Sequence, residues 1–346
     1  MAIHKCHCLF IPPHVLDHLA KDKRKDVRQN TRLTVQQSNL SRKNRSAKRI
    51  TMEMFAPAAP AGEGARTVYD CEKTWTQRVR EARTETQGET GEKSVDTAFE
   101  FAGLVRSFYR DLDRNSYDNA GSDIIMNVHF GSKYNNAFWD GDELTFGDGD
   151  GVIFNDFTQS LDVVAHEFAH GVTQFTADLE YQSQSGALNE SFSDVFGSAI
   201  TQLAKGQDAG TADWLIGDEI MGPDLYGECL RSMKAPGTAY DNTILGKDPQ
   251  PDHMNNYYAG TDDNQGVHIN SGIPNKAFFL VATTIGTQKA ARIWYHALKN
   301  LWATADFNDA VDVIAESARI LTRDGEVPLG STQAVRSAFK AVGLPV

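Results

Sequence analysis

Two histidines four residues apart, His166 and His170 in the run Ala165-His166-Glu167-Phe168-Ala169-His170, could bind one metal ion. Residues four apart share one face of a helix, so both imidazoles can reach the same position. Glu167 projects from the same helix and can act on a metal-bound water without being a ligand itself. This spacing on a helix is typical of a zinc site that hydrolyses peptide bonds, with the glutamate as the base.

A third ligand follows in the stretch Asn189-Glu190-Ser191-Phe192-Ser193-Asp194, which lies in a segment with apolar residues at helical spacing. A catalytic zinc uses three protein ligands and keeps one position open for water. His166, His170 and Glu190 supply that set, and Asp194 is predicted to accept a hydrogen bond from a ligating imidazole. The alternative is ordinary helix residues, but burying four polar residues on two apolar helices would be costly without a common purpose.

Length and composition indicate a soluble globular protein. The 346 residues are enough for two lobes with a sizeable core, and 40% of them are hydrophobic and 23% charged. No apolar run approaches the length of a membrane span, so we expect no membrane partner. The first twenty residues lack the pattern of a secretory signal, because their apolar run at 8–11 is short and is followed directly by Pro12-Pro13. We therefore expect a cytoplasmic precursor, exported, if at all, by a route that needs no such signal.

The charge is unevenly distributed along the chain. Residues 1–50, called the leader below, carry 12 lysines and arginines against 3 aspartates and glutamates, whereas the rest carries 22 against 43. A basic leader can bind nucleic acid, or it can dock on its own acidic body. Because the leader has no basic face interleaved with aromatic residues, docking is favoured and we expect no nucleic-acid partner.

The four cysteines are too few for a disulfide scaffold. The run Cys6-His7-Cys8 could contact a metal, although free thiols are the favoured interpretation.

The order of the patterns predicts an α+β protein. A Pro-, Ala- and Gly-rich linker at 55–64, a helix at 97–111 and a strand at 124–130 fall in a β-rich first half. The run 157–164 should continue as a helix into the zinc motif. Later segments have apolar residues three and four apart, which predicts helices at 186–204, 273–285, 289–303, 307–322 and 331–342. We divide the chain into the leader 1–50, a β-rich lobe with the zinc helix at 51–180, and a helical lobe at 181–346.

From about Tyr134 to its end the chain resembles the thermolysin family of zinc endopeptidases. Nineteen residues separate His170 from Glu190, whereas related zinc aminopeptidases typically have eighteen and carry a Gly-Ala-Met-Glu-Asn segment that is absent here. The matching segments are Asn135-Asn136-Ala137-Phe138-Trp139, Gly147-Asp148-Gly149-Asp150-Gly151, Ser185-Gly186-Ala187-Leu188-Asn189-Glu190 and Gly266-Val267-His268-Ile269-Asn270-Ser271-Gly272.

The leader resembles the short propeptides of protealysin-like members of that family. Its run Ile11-Pro12-Pro13-His14-Val15-Leu16 is similar to their Pro-Pro-x-x-Leu element. An extended linker is the alternative interpretation of the two prolines. The resemblance implies that Pro12, Pro13 and Leu16 belong to an inhibitory segment that lies in the cleft.

The resemblance also implies a two-lobed thermolysin-like fold and a role for each site residue. Glu167 is expected to be the general acid and base, and His268, oriented by Asp263 and assisted by Tyr181, to stabilise the oxyanion. The expected substrate-binding residues are Arg231, Asn136 and Ala137 for the peptide backbone, and Phe154, Phe157, Val163, Ile216 and Leu230 for an apolar side chain after the cleaved bond. Cleavage before a bulky hydrophobic residue is therefore expected.

A calcium site is a weaker implication. Asp162, Asp213 and Asp218 match carboxylates of the family's paired calcium site, but Thr201 and Leu215 stand where the family often has glutamates. Fewer hard oxygen ligands bind calcium more weakly, so we expect at most one calcium ion. A surface cluster of carboxylates without metal is the alternative.

The functional hypothesis is a monomeric zinc endopeptidase that cleaves proteins and is made as a self-inhibited precursor. It would bind one catalytic zinc and its own leader in the cleft, and would remove that leader itself. A catalytically silent binding protein of the same fold is the alternative, and the complete set of site residues argues against it.

Overall fold

The computed structural model describes residues 8–54 and 64–346, and for residues 42–54 the backbone alone. The leader contains helix α1 (Pro13–Leu19) and most of helix α2 (Lys25–Met54). Helix α2 continues past residue 50, the predicted end of the leader. The predicted linker, except Gly64, lies outside the described residues, and so does Cys6. Within the described part of the chain, no helix is long and apolar enough to cross a bilayer.

The first lobe is built on a five-stranded mixed sheet in the order β2-β1-β3-β5-β4, with parallel inner pairs and antiparallel outer pairs. Helix α3 (Lys93–Arg110) contacts β1 and β3 with an apolar face. The strands are β1 (Arg66–Asp70), β2 (Arg80–Thr84), β3 (Ile124–Val128), β4 (Ala137–Trp139) and β5 (Leu144–Phe146). The predicted strand at 124–130 is confirmed and ends at Val128, because His129 has a left-handed backbone with φ of 54°.

Two buried helices, α4 (Leu161–Gln174) and α5 (Ser183–Ala204), pack against each other at the centre of the molecule. The prediction of one helix running from residue 157 into α4 is wrong. Residues Phe157–Gln159 form a separate turn of 3₁₀ helix, and Ser160 is extended. The Asp156 carboxylate caps the start of the short turn, because it accepts a hydrogen bond from the Thr158 N–H at 2.9 Å, and the extended backbone of Ser160 separates this turn from α4.

The second lobe is mainly helical. Short strand pairs form between β6 (Leu215–Ile216) and β7 (Arg231–Ser232), and between β8 (Asp241–Asn242) and β9 (Gly246–Lys247). The remaining helices are α6 (Asp262–Asn270), α7 (Gly272–Ile285), α8 (Thr287–Leu298), α9 (Phe307–Arg323) and α10 (Ser331–Ala341). Helix α8 stops five residues before the predicted end at 303, since the N–H groups of Asn300 and Leu301 bond back to Ala297.

The leader docks on both lobes mainly through apolar side chains. Those that join the main core are Phe10, Ile11, Val15, Leu16, Leu19 and Val27. On the second lobe, His14 contacts the Tyr240 hydroxyl at 2.8 Å. On the first lobe, Thr34 Oγ1 accepts a hydrogen bond from the Asn135 N–H at 3.2 Å. Among the described side chains, Arg24 and Asp224 form the ion pair that joins the leader to the body. Burial of apolar side chains therefore contributes more to docking than attraction between the basic leader and the acidic body.

Candidate active site

The imidazoles of His166 and His170 project from one face of α4, and their Nε2 atoms lie 3.1 Å apart. Both side chains are completely buried. Two nitrogen ligands of a tetrahedral zinc, each about 2.0–2.1 Å from the ion, would lie roughly 3.4 Å apart. The helix therefore places the two imidazoles at a spacing that fits shared metal binding.

Glu190 completes the set from the facing helix α5. Its carboxylate oxygens lie 3.5 Å from His166 Nε2 and 3.5 Å from His170 Nε2. The Tyr181 hydroxyl also donates a hydrogen bond to Glu190 Oε1. Two imidazole nitrogens and one carboxylate oxygen converge on one point, a donor set that suits zinc with a fourth position left for another ligand.

Hydrogen bonds on the far side of each ring fix the orientation of the histidines. His166 Nδ1 contacts Asp194 Oδ1 at 2.9 Å, as predicted from the sequence. His170 Nδ1 contacts Asn189 Oδ1 at 2.9 Å and the Ser193 hydroxyl at 3.1 Å. With Nδ1 as the donor, Nε2 keeps its lone pair for the metal. The Asn189 role was missed, although its position next to Glu190 on the same helix was a usable signal.

Arg231 holds Asp194 in place. Its Nε and Nη2 each donate a hydrogen bond of 2.8 Å to the carboxylate, and Asn275 donates a further one of 2.9 Å. Burial alone would raise the pKa of Asp194, but the positive Arg231 and the contact with His166 lower it to about 2. Asp194 is therefore a carboxylate at neutral pH and accepts hydrogen bonds only.

Glu167 lies on α4 between the two histidines and is fully buried. Its Oε2 accepts a hydrogen bond from the backbone N–H of Trp139 at 2.8 Å. Trp139 ends strand β4, so this contact ties the carboxylate to the edge of the sheet. The contact was not foreseen, because backbone donors carry no signal in the sequence.

His268 and Tyr181 approach the metal position from the second lobe. Asp263 Oδ1 contacts His268 Nδ1 at 2.7 Å, and the Tyr181 hydroxyl lies 3.2 Å from His268 Nε2. Burial lowers the pKa of His268, but the Asp263 and Glu190 carboxylates outweigh burial, so its pKa is raised overall. Residues 263–266 have left-handed φ angles of 53, 49, 66 and 81°, which brings Asp263 back to His268. The predicted pairing of these residues is therefore present in the structure.

Residues 8–11 of the leader run through the cleft without regular secondary structure. The Phe10 N–H donates a hydrogen bond of 3.1 Å to the carbonyl oxygen of Ala137. The Ile11 N–H donates one of 2.9 Å to Asn136 Oδ1. The two residues predicted to hold a peptide backbone therefore contact this chain's own leader.

The Leu9–Phe10 peptide bond lies among the predicted catalytic residues. The Leu9 carbonyl oxygen is 3.0 Å from His268 Nε2, and the Phe10 carbonyl oxygen is 3.4 Å from Arg231 Nη1. The sequence prediction placed Pro12, Pro13 and Leu16 in the inhibitory segment. In the structure Pro12 and Pro13 lead into α1, and the residues that contact the catalytic groups come just before them.

The Phe10 side chain is completely buried in the apolar region predicted to receive a substrate side chain. Its ring meets His166 edge-on at a centroid distance of 5.1 Å and Phe157 at 6.4 Å. A Cβ atom on Gly217 would lie 3.2 Å from the Phe10 ring and 3.1 Å from Leu230. The predicted lining residues are all buried: Phe154, Phe157, Val163, Ile216 and Leu230.

Cys8 was predicted to be a free thiol, and this prediction is wrong because Cys8 is disulfide-bonded. It is 2% exposed and packs with Tyr181 and Val267. Cys71 and Cys229 are free and buried. Leu9 and Phe10 were not assigned to the site, since only docking of the leader brings them there, and a metal contact of Cys8 was the less favoured interpretation of the run Cys6-His7-Cys8.

Comparison with known proteins agrees with this geometry. Residues 21–174 match the family model described as thermolysin metallopeptidase, catalytic domain, and residues 177–344 match that of its alpha-helical domain. The chain belongs to the thermolysin family. It is a zinc metalloendopeptidase of the protealysin-like group, with a thermolysin-like fold.

Individual relatives agree over most of the chain. It is 45% identical to an extracellular metalloprotease of Pectobacterium carotovorum subsp. carotovorum, over 87% of each chain. It is 37% identical to protease PrtS of Photorhabdus sp. (strain Az29), over 97% of this chain and 92% of the relative. The solved precursor of protealysin from Serratia proteamaculans superposes with a TM-score of 0.87 at 39% identity, over 98% of this chain and 100% of that one.

These relatives correct the expected localisation. The Pectobacterium carotovorum relative is named an extracellular metalloprotease, which conflicts with the expectation of a cytoplasmic precursor. The expectation was wrong because a signal-like pattern in the first twenty residues marks one export route among several, so its absence does not keep a protein in the cytoplasm.

The candidate calcium ligands of the thermolysin family do not converge here. Among the described residues, the groups of three with ligand atoms within 4.8 Å of one another do not include Asp162, Asp213 or Asp218. Asp162 is buried, and its Oδ2 accepts a hydrogen bond from the Gly217 N–H at 2.7 Å. Burial, together with nearby Asp218 and Glu219, raises the pKa of Asp162 to about 6.

A lysine contributes positive charge to this acidic region. Lys205 Nζ lies 2.9 Å from Glu219 Oε1, and both side chains are partly exposed. Burial opposes protonation, but Glu219, Asp218 and Asp162 raise the pKa of Lys205 overall.

Proposed function

We propose that this chain is the self-inhibited precursor of a neutral zinc endopeptidase that cleaves before bulky hydrophobic residues and whose leader is removed by the same enzyme. The position of the Leu9–Phe10 bond supports this proposal most directly. The Leu9 carbonyl contacts His268, and the Phe10 N–H contacts Ala137, so the leader lies as a substrate would. A segment held in this way excludes other peptides from the cleft.

The same contacts suggest how a substrate is cleaved. Zinc bound by His166, His170 and Glu190 would supply an acidified water and polarise the carbonyl of the cleaved bond. Glu167 takes a proton from the attacking water and later delivers it to the leaving nitrogen. Its hydrogen bond from the Trp139 N–H keeps the carboxylate oriented for both transfers.

Charge that develops on the carbonyl oxygen is stabilised by two donors. His268 Nε2 is 3.0 Å from the Leu9 oxygen, which occupies the place of a substrate carbonyl. The Tyr181 hydroxyl lies 3.2 Å from the same nitrogen and donates its hydrogen to Glu190 here, so it would turn towards the carbonyl oxygen to donate a second hydrogen bond. Donors that are fixed before the reaction stabilise the transition state more than the substrate. Arg231 holds the next carbonyl, as it holds that of Phe10.

Specificity follows from the region that buries Phe10. Because a phenylalanine ring is fully enclosed there, the region accepts a large apolar side chain after the cleaved bond. A charged side chain would lose its hydration without gaining a partner among the predicted lining residues, all of which are apolar. We therefore propose phenylalanine or a similarly bulky residue at this substrate position.

The proposal includes the predicted division of the chain into 1–50, 51–180 and 181–346, and a monomer as the functional unit. The leader would separate as one piece, because its two described helices are joined to each other by contacts of their own. All catalytic side chains named above come from a single chain, so no second copy is needed to complete the site.

We also propose at most one bound calcium ion. The Lys205 ammonium beside Glu219 brings a positive charge close to Asp218 and Asp162, and the Gly217 N–H already uses one Asp162 oxygen. The number of bound calcium ions is measured as the calcium content of the dialysed protein, and their effect on stability by thermal unfolding with and without a calcium chelator. A chelator-dependent loss of two bound calcium ions per chain would contradict it.

Profiling the processed enzyme with a peptide library tests the proposed activity. We expect cleavage mainly before phenylalanine and other bulky apolar residues, complete inhibition by phenanthroline, and no cleavage by Glu167→Ala purified in the same way. Absence of hydrolysis by processed wild type that contains one zinc per chain would instead favour a silent binding protein. A preference for charged residues after the cleaved bond would reject the proposed pocket.

A further inference from the structure

The Cys8 side chain lies at the metal site. Its Sγ and one ligand atom each of His170 and Glu190 all lie within 4.8 Å of one another, and all three side chains are buried. The position is set by the hydrogen bonds of Leu9 and Phe10 with His268 and Ala137, because these hold the next residues of the leader in the cleft.

The zinc site has room for one more ligand. His166, His170 and Glu190 provide three donors, and a fourth position is normally open in a catalytic site. Thiolate sulfur is among the preferred zinc ligands, with a zinc–sulfur distance of about 2.3 Å. A sulfur atom that already lies within 4.8 Å of ligand atoms of His170 and Glu190 can therefore complete a four-coordinate site without large movement of the leader.

A fourth ligand from the leader would explain why the leader is not cleaved in the cleft. The Leu9–Phe10 bond lies where a substrate bond would lie, yet an inhibitory leader must resist hydrolysis by the enzyme at this bond. Hydrolysis needs a water at the fourth zinc position. A ligand from the leader that occupies this position removes the nucleophile while the peptide remains bound.

We propose that in the reduced precursor the Cys8 thiolate is the fourth zinc ligand and protects the Leu9–Phe10 bond from hydrolysis. This inference deepens the proposed self-inhibition and rests on it. On ligation the thiol proton passes to solvent, a sulfur–zinc bond forms and the displaced water leaves, with no change of oxidation state. A disulfide sulfur is not a thiolate, so the disulfide-bonded form of Cys8 seen in the structure would leave the fourth position open.

Zinc X-ray absorption spectroscopy on intact precursor tests the ligand directly. Glu167→Gln keeps the chain unprocessed and leaves the three protein ligands in place. In this background, after reduction with a phosphine, we expect one sulfur neighbour at about 2.3 Å. Cys8→Ser should lose this neighbour, whereas Cys6→Ser, the matched control two residues away, should keep it. Absence of a sulfur neighbour in the reduced Glu167→Gln precursor would overturn the inference.

A second measurement follows the protected bond in chains that retain Glu167. Under reducing conditions, mass spectrometry of fresh Cys8→Ser precursor should detect a product that begins at Phe10, whereas Cys6→Ser should not yield it. Equal survival of the Leu9–Phe10 bond in both variants would show that the thiolate does not protect it. The proposed self-inhibition fails by a different result, namely full peptidase activity of intact wild-type precursor, which the absorption spectrum does not measure.

Discussion

Asp194 and Arg231 form a buried ion pair with two hydrogen bonds of 2.8 Å, and the same carboxylate orients the zinc-site residue His166. This relationship couples Arg231, the proposed substrate-binding arginine, to the metal site. Asp194→Asn should therefore weaken zinc binding by about 10–100-fold, the usual effect of removing a partner of a ligating histidine. Competition with a chelator of known affinity measures this. Asp156→Asn, which changes a carboxylate that caps the turn at 157–159, is the control and should bind zinc normally.

Glu167→Ala should retain zinc but lose peptide hydrolysis, because the three ligands remain and only the proton-transfer group is removed. His166→Ala should lose both. Metal content by mass spectrometry, combined with a peptide assay on the same samples, distinguishes the two variants. Loss of zinc from Glu167→Ala as severe as that from His166→Ala would show that Glu167 is a ligand.

His268→Ala should lower turnover by roughly 10²–10³-fold, the usual effect of deleting one oxyanion donor, with little change in the binding of substrate-like peptides. Asp263→Ala should lower it less, since Asp263 orients the ring and does not itself contact the Leu9 carbonyl. Steady-state kinetics of the processed variants give both values. If His268→Ala turns over at nearly the wild-type rate, the residue has no part in stabilising the oxyanion.

The grouping of the candidate metal ligands could be predicted from the sequence because its determinants are local. His166 and His170 are one helical turn apart, and Glu190 and Asp194 are one turn apart on a second helix, so regular helix geometry alone groups them. The resemblance to a known family added the groups on distant segments, such as His268 and Arg231. These residues have no recognisable spacing relative to the histidines, and only the tertiary fold brings them together.

The structure differs from the predictions made from the sequence where contacts between distant segments determine the local conformation. The zinc helix begins at Leu161 because the extended backbone of Ser160 interrupts the run, although the apolar pattern of the run fits a helix. The part of the leader that contacts His268 and Ala137 lies just before the two prolines. Prolines are visible in a sequence, whereas backbone hydrogen bonds of Leu9 and Phe10 are not.

Acid should weaken docking of the leader through His14. Burial is the main reason that the pKa of this ring is lowered to about 4, and His268 and Arg231 act in the same direction while Asp263 opposes them. In a released leader the pKa would return to its ordinary 6.5. The contribution of neutral His14 to docking is thus complete above pH 6.5 and is lost progressively as the pH falls towards 4.

Binding of a fluorescent active-site ligand to Glu167→Gln precursor, measured from pH 7.5 to 4.5, reports this release. We expect more ligand bound as the pH falls. His14→Gln, which cannot gain a proton in this range, should show a shallower dependence, whereas protonation of other groups affects both chains alike. Identical pH profiles for the two precursors would exclude His14 as a determinant of docking.

Removal of the leader should be carried out by one molecule on another. We expect the cut that removes the leader to fall within residues 43–51, which lie on helix α2, whereas the cleft holds residues 8–11. A precursor whose cleft is filled by its own leader cannot bind a second segment there. The first processed molecules should therefore accelerate the processing of all others.

Time courses of processing at several protein concentrations test this expectation by gel electrophoresis and mass spectrometry. We expect a lag that shortens as the precursor concentration rises and disappears when a trace of processed wild type is added. Glu167→Ala precursor alone should stay full length, and processed wild type should cut it within 43–51. A half-time that does not change with concentration would show that each chain processes itself. Maturation of Glu167→Ala at the wild-type rate, without other proteases present, would exclude self-processing altogether.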